Sequence, residues 1–215
     1  MILYHFVNLE YGLENISKRR LKVSRIKKLN DPFEFQAFDL SNKELRNNVK
    51  RGIEAIDKEF GLICFSRSWR SPLQWAHYAD RHTGICLGLE ILPQHVSLIR
   101  EVNYVPKRIR LTSHQVTEED IWTIMATKFE KWDYEEESRI FVPLEESEVS
   151  GLFFTPFKSN MRLKEIYIGA SCEVSKDDLR KALGDLKEEV KVLKTRAGFT
   201  NFNMVVDNRY SPFKL

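Results

Sequence analysis

The chain has only three cysteines in 215 residues, Cys64, Cys86 and Cys172. An odd number, widely spaced and without a Cys-x-x-Cys pair, argues against both a disulfide framework and a zinc site. Each sits among apolar neighbours, as in Leu62-Ile63-Cys64-Phe65 and Gly84-Ile85-Cys86-Leu87, and reads as a small buried hydrophobe in a reducing compartment. Long apolar runs are missing as well; none approaches the ~18 residues of a membrane-spanning helix. The opening Met1-Ile2-Leu3-Tyr4-His5-Phe6 lacks a basic stretch followed by a long apolar core. No secretory leader and no membrane partner are therefore expected, and the protein is read as cytoplasmic. No glycine-rich phosphate loop opens a helix, and neither a Gly-x-Ser-x-Gly elbow nor a dinucleotide fingerprint occurs. No repeat, low-complexity segment or linker interrupts the chain.

What is there suits a packed domain. Hydrophobic residues make up 42% and aromatics 12%, enough for a proper core. Net charge is +3 and the pI about 8.7, below the ~9 and clustered basic face of a dedicated nucleic-acid binder. Without a linker, residues 1–215 are expected to form a single domain.

Met1 to Val7 reads as a first strand, and Asn8 as the cap of a helix carrying Leu9, Leu13 and Ile16 at helical spacing. Leu21 to Ser24 alternates as a second strand, and Asn30-Asp31-Pro32 signals a turn. The spacing of Leu45, Val49, Ile53 and Ile56 predicts a helix over Ser41 to Phe60, ended by Gly61. Further strands are expected at Leu62–Ser66, Gly84–Ile91, Val102–Val105, Tyr134–Pro143, Glu165–Gly169 and Val190–Leu193, with Val205-Val206 closing the domain. Helices are expected from Ser71, with Pro72 at its first position, to about Arg81, from Thr117 to about Phe129, and from Ser175 to about Glu188. The stretch from Glu145 to Leu163 reads as a mobile loop. The class is α+β, with a mixed, mostly antiparallel sheet and flanking helices.

Trp132 to Arg139 is the densest run of useful side chains. On a strand, Glu135, Glu137 and Arg139 share one face, while Glu136 points away. Either this is a solvated edge with a Glu–Arg pair, or a buried face whose raised carboxylate pKa suits acid/base work or stabilises a cation. Trp75 and Tyr78 read most simply as core aromatics. His77 and His82 are too far apart for a His-x-x-x-His metal pair, no third ligand is evident, and no metal is expected. His5 is by itself most simply structural. Lys18, Arg19, Arg20, Lys22, Arg25, Lys27 and Lys28 either blunt an edge strand or meet the phosphates of a dinucleotide or nucleic acid.

Four stretches together resemble the prokaryotic family catalogued as domain of unknown function 2971. They are Leu29-Asn30-Asp31-Pro32-Phe33-Glu34, Cys64-Phe65-Ser66, Trp75-Ala76-His77-Tyr78 with His82-x-Gly84, and Lys128-x-x-x-Trp132-x-Tyr134-Glu135-x-Glu137-x-Arg139-Ile140; the closing Ile166-Tyr167-Ile168-Gly169 also fits. More distantly, Tyr4-His5-Phe6, a helix, Arg20-Leu21-Lys22-Val23, the middle strand–helix–strand unit and Glu135-Glu136-Glu137 resemble ADP-ribosyltransferases, including the group that modifies DNA. That resemblance implies a split sheet and NAD as substrate, with a nucleic-acid or protein acceptor, in a bacterial toxin or phage-defence effector. It implies that Glu135 or Glu137 contacts the ribose 2′-hydroxyl and stabilises its developing charge, and that His5 holds the nicotinamide ribose. Tyr4, Ser66, Trp75, Tyr78 and Arg139 would bind NAD, with Asn30, Asp31, Arg20 and Arg25 toward phosphate or substrate. No aromatic stands at Ser66, where a stacking residue is expected. The alternatives are a nucleic-acid-binding or metal-dependent nuclease-like protein, using the basic run with Asp31, Glu34, Glu135 and Glu137, and a non-catalytic partner-binding module.

Overall fold

Strict alternation along the first strand sorts the interior into layers. In β1 (Ile2–Val7), Leu3 packs into one core cluster and Phe6 into another, on opposite faces of the sheet. The computed structural model describes residues 1–111, 115–145, 151–157 and 161–210. After β1 come α1 (Leu9–Lys18), β2 (Arg20–Arg25), α2 (Lys43–Glu59), β3 (Phe60–Ser66), α3 (Pro72–Tyr78) and β4 (Ile85–Ile91). The next elements are β5 (Ile99–Glu101), β6 (Asn103–Val105), α4 (Glu118–Met125), β7 (Thr127–Phe129), β8 (Glu137–Pro143) and β9 (Phe153–Pro156). The last are β10 (Met161–Ile168), α5 (Lys176–Leu183), β11 (Lys191–Ala197) and β12 (Met204–Val206). The expected α+β class with a mostly antiparallel sheet is what is found.

Among the described residues ten strands share one sheet, in the order β12-β11-β10-β4-β1-β3-β2-β9, with β8 between β3 and β5. The one parallel pair in it, β10–β11, is bridged by α5, which packs on α1. On that face Leu3, Ile16, Leu87, Leu89, Ile166 and Leu179 form the largest core. Helices α2 and α4 cover β3 and β8 elsewhere, through Leu45, Val49, Leu62 and Ile124.

The decisive irregularity is at β3. One edge pairs with β8 along its whole length, from Phe60 to Ser66. The other edge pairs with β2 only at Gly61 and Leu62, and with β1 only at Ser66. Strands β1 and β2 therefore part along β3, and beside Ile63, Cys64 and Phe65 a cavity of about 440 Å³ opens.

Several boundaries differ from expectation. Gly61 does not end α2. It lies within β3, where a Cβ would meet Val23 Cγ1 at 2.5 Å and the Ser24 carbonyl oxygen at 2.7 Å, so it admits the close approach of β2. The strand expected from Tyr134 starts only at Glu137, because residues Glu130–Glu135 form a 3₁₀ turn and Glu136 is left-handed at φ 43°. The helix expected to reach Phe129 stops at Met125, and Thr127–Phe129 pairs in parallel with β6 instead. Strands β5 and β9 were not expected. Strand β9 occupies part of the stretch read as a loop, of which residues 146–150 and 158–160 lie outside the described residues. No helix among the described residues is long and apolar enough to cross a membrane.

Helix α3 stops at Tyr78, short of the expected Arg81, because Asp80, Arg81 and His82 all take left-handed φ values of 45°, 53° and 70°. Each costs a non-glycine residue about 1–2 kcal/mol. The turn is tied by Arg81 N–H to the Ala76 carbonyl and by His82 N–H to the Trp75 carbonyl, at 3.2 and 3.1 Å. Arg81 itself is exposed, so glycine there removes strain without opening the core. Arg81→Gly is expected to raise stability by about 0.5–1 kcal/mol, read as a higher urea midpoint at unchanged slope.

Candidate active site

The floor of the cavity is a buried ionic cluster contributed by four separate segments. Arg139 on β8 is wholly buried and is its hub. Its Nε and Nη2 donate to the two carboxylate oxygens of Glu137, at 2.8 and 2.9 Å. Nη2 also donates to Glu34 Oε1 at 2.6 Å, and Nη1 to the Met125 carbonyl at the end of α4 at 2.7 Å. The rigid fork of guanidinium suits this work, since it meets several acceptors at once. Lys128 on β7 supplies the second cation. Its Nζ donates to Glu135 Oε2 at 2.7 Å and lies 3.6 Å from both Glu34 and Glu137. Three carboxylates thus face two cations, leaving an excess of one negative charge when all are ionised.

The alternation of β8 puts Glu137 and Arg139 on one face, as expected. Glu135 reaches the same cluster from the 3₁₀ turn rather than from the strand, and Glu136 is exposed. Gln74 on α3 fixes that turn: its amide donates to the Glu135 carbonyl at 2.7 Å and to Ser66 Oγ at 2.8 Å. Tyr78 donates to Glu135 Oε1 at 2.5 Å.

These surroundings pull the carboxylates apart. Burial pushes Glu137 up, but Arg139 and Lys128 together outweigh it and hold the group below its ordinary value. Glu135 goes the other way: burial raises it, and Lys128 and Tyr78 only partly offset that. Lys128 is held up by its three carboxylate neighbours despite burial and stays protonated. The Tyr134 phenol is pushed up to about 12, chiefly by burial and then by Glu135.

His5 closes the opposite wall. Its Nδ1 donates at 3.1 Å to the Cys64 carbonyl, on the stretch of β3 whose edge away from β8 lacks a strand partner. Burial lowers its pKa, so the ring is neutral and leaves Nε2 as an acceptor. Tyr4, Ser66, Tyr78, Glu135, Glu137 and Asn30 line the same cavity as His5, so the candidates drawn from distant parts of the chain converge. Lys22 and Lys28 stand on its exposed rim.

Other expected site residues lie elsewhere. Trp75 is fully buried, its indole donating to the Trp69 carbonyl, and is core rather than lining. Tyr78, read by itself as core but expected at NAD from the resemblance, lines the cavity. Arg139 acts behind Glu137 and does not line the cavity. The basic run does not form one face. Arg25 pairs with Asp57, Lys27 with Glu54 and Lys18 with Glu14, while Arg19 caps helix ends through the Ala182 and Leu183 carbonyls. Arg20 stacks over Phe154 at 3.5 Å and, like Arg25, is not among the lining residues. Asp31 lines a neighbouring cavity and accepts the Phe33 N–H at 2.8 Å. Reasoning on the sequence missed Lys128 and Gln74 as site residues, since both read as ordinary helix positions; the surplus of acids near Lys128 was the available signal.

No protein-family model matches the chain, and no curated protein or solved structure matches it.

Replacing Arg139 with Met leaves Glu34 and Glu137 buried and facing only Lys128. It is expected to cost about 3–5 kcal/mol, a fall in Tm on the order of 10 °C by calorimetry. Glu137, whose folded pKa lies below its ordinary 4.5, adds stability that is complete above that value and lost as pH falls through the lowered one. Glu135, raised, carries the opposite sign. The Tm gap between the wild type and Glu137→Gln should therefore be widest near neutrality and narrow below pH 4.5.

Proposed function

We propose that the protein is an ADP-ribosyltransferase-like enzyme that uses NAD as substrate, of the toxin or phage-defence kind, acting in the bacterial cytoplasm and related to the family of domain of unknown function 2971. The observation that carries this is the meeting of His5, Ser66, Tyr78, Glu135 and Glu137 in one cavity where the sheet divides. The charge distribution fits such a substrate. The deep end carries excess negative charge, suited to a cationic nicotinamide ring and the positive charge that grows on its ribose. The rim offers Lys22 and Lys28 to a diphosphate. The cavity volume lies in the range of small-molecule sites.

In this reading the ribose C1′–N bond breaks, the pair of electrons leaving with nicotinamide, and an acceptor nucleophile bonds to C1′ and gives up a proton. Glu137, kept ionised by Arg139, and Glu135 stabilise the developing charge without reorganisation, because buried partners already fix them. Neutral His5 offers Nε2 to a ribose hydroxyl. A metal-dependent nuclease is less well supported: Glu34, Glu135 and Glu137 already accept from Lys128 or Arg139, so a divalent ion would have to displace a buried cation, and Asp31 lines the other cavity. The basic run proposed for that alternative is largely spent on intramolecular pairs.

Incubation with labelled NAD, alone and with nucleic acid or lysate, is expected to release nicotinamide. Glu135→Gln and Glu137→Gln should each lose about 10²-fold or more in turnover while far-ultraviolet circular dichroism stays native. Lys22→Ala and Lys28→Ala should raise KM for NAD with kcat nearly unchanged. Full turnover in both glutamine variants would overturn the assignment, and loss of Tm without any reaction to lose would favour a partner-binding module.

A further inference from the structure

A second cavity, of about 310 Å³, shares Lys128 with the first. Its walls are unusually aromatic. Phe33 is 64% exposed and Phe129 47% exposed, although residues of this kind are normally buried, and Trp132 completes the set. Nothing in the catalytic reading uses these three rings. Lys107 and Arg108 stand exposed on the same cavity, and neither has an ion pair among the described residues. The Arg108 guanidinium sits 5.9 Å from the Phe33 ring centroid.

The rings are held in place. The Asp31 carboxylate accepts the Phe33 N–H, which sets the turn that presents this side chain. Trp132 is anchored from behind by Lys128, whose Nζ lies 4.6 Å from the ring centroid. Asp31, expected toward phosphate or substrate, is engaged in this turn and lines the same cavity on the side of Phe33. Flat hydrophobic rings beside exposed cations fit a planar heterocycle carrying a phosphate. They suit a duplex poorly, because stacked bases cannot enter a pocket.

We infer that the Phe33–Phe129–Trp132 cavity binds an unpaired base of a single-stranded nucleic acid, with Lys107 and Arg108 on the flanking phosphates. This binding does not depend on NAD chemistry in the first cavity.

The test is fluorescence anisotropy with short labelled single-stranded DNA and RNA oligonucleotides, without NAD, against a duplex of the same sequence. Both single strands, or one of them, should bind at least ~10-fold more tightly than the duplex, and the DNA and RNA arms identify which sugar is preferred. Phe33→Ala and Phe129→Ala should each weaken binding about 5- to 100-fold. Both positions are exposed, so native circular dichroism is expected in each variant. Lys107→Glu with Arg108→Glu should weaken binding and flatten its dependence on salt. Because binding is read without NAD, its loss and the loss of nicotinamide release are scored independently, which separates failure of this site from failure of the transferase reading. Equal affinity for duplex and single strand, or wild-type affinity in both phenylalanine variants, would overturn the inference. So would the absence of binding at low salt.

Discussion

The bidentate bond from Arg139 to Glu137, extended by the same guanidinium to Glu34 and to the end of α4, is the constraint on which the rest depends. A buried guanidinium is tolerable only when its donors are satisfied, and here its partners come from β8, from the loop before α2 and from α4. The cluster is therefore a structural joint as well as a reservoir of charge. It positions the Glu34 loop over the cavity and fixes the register at which β8 delivers Glu137. Lys128 performs a matching task for the 3₁₀ turn by holding Glu135.

Chemistry enters where regular pairing stops. Strand β3 is fully paired on one side and interrupted on the other, and the carbonyl of Cys64 is satisfied by a histidine ring. A backbone group that would otherwise bind a neighbouring strand instead orients a side chain and leaves its second nitrogen free. The same interruption supplies the space that a ligand requires.

Much of the fold was legible because its signals are local. The apolar runs of β1 and β4, the alternation in β8, the caps at Asn8 and Ser175, and the stripe along α2 all follow from composition, period and capping chemistry. What escaped was set by tertiary context. The left-handed residues at Asp80–His82 and Glu136 carry no glycine to announce them, so α3 and β8 were both read too long. The three-residue strands β5 and β7 are too short to show a period. Within the site, Glu137 and Arg139 followed from strand alternation, and His5 from the order of elements. Lys128 did not, because a lysine at an apparent helix position reads as solvated until the carboxylates around it are seen. The basic run misled for the opposite reason: its partners, Asp57 and Glu54, lie far along the chain on α2.

Three acids set against two bases also limit how this sequence can drift. Loss of Lys128 or Arg139 strands carboxylates in the interior, whereas loss of one acid evens the count, so the effect of a substitution at any of the five depends on which of the other four are present. A base can therefore be lost only together with acids it holds, whereas a single acid can go alone. Each base is thus inherited with acids it holds, and for Arg139 and Glu34 that bond spans more than a hundred residues.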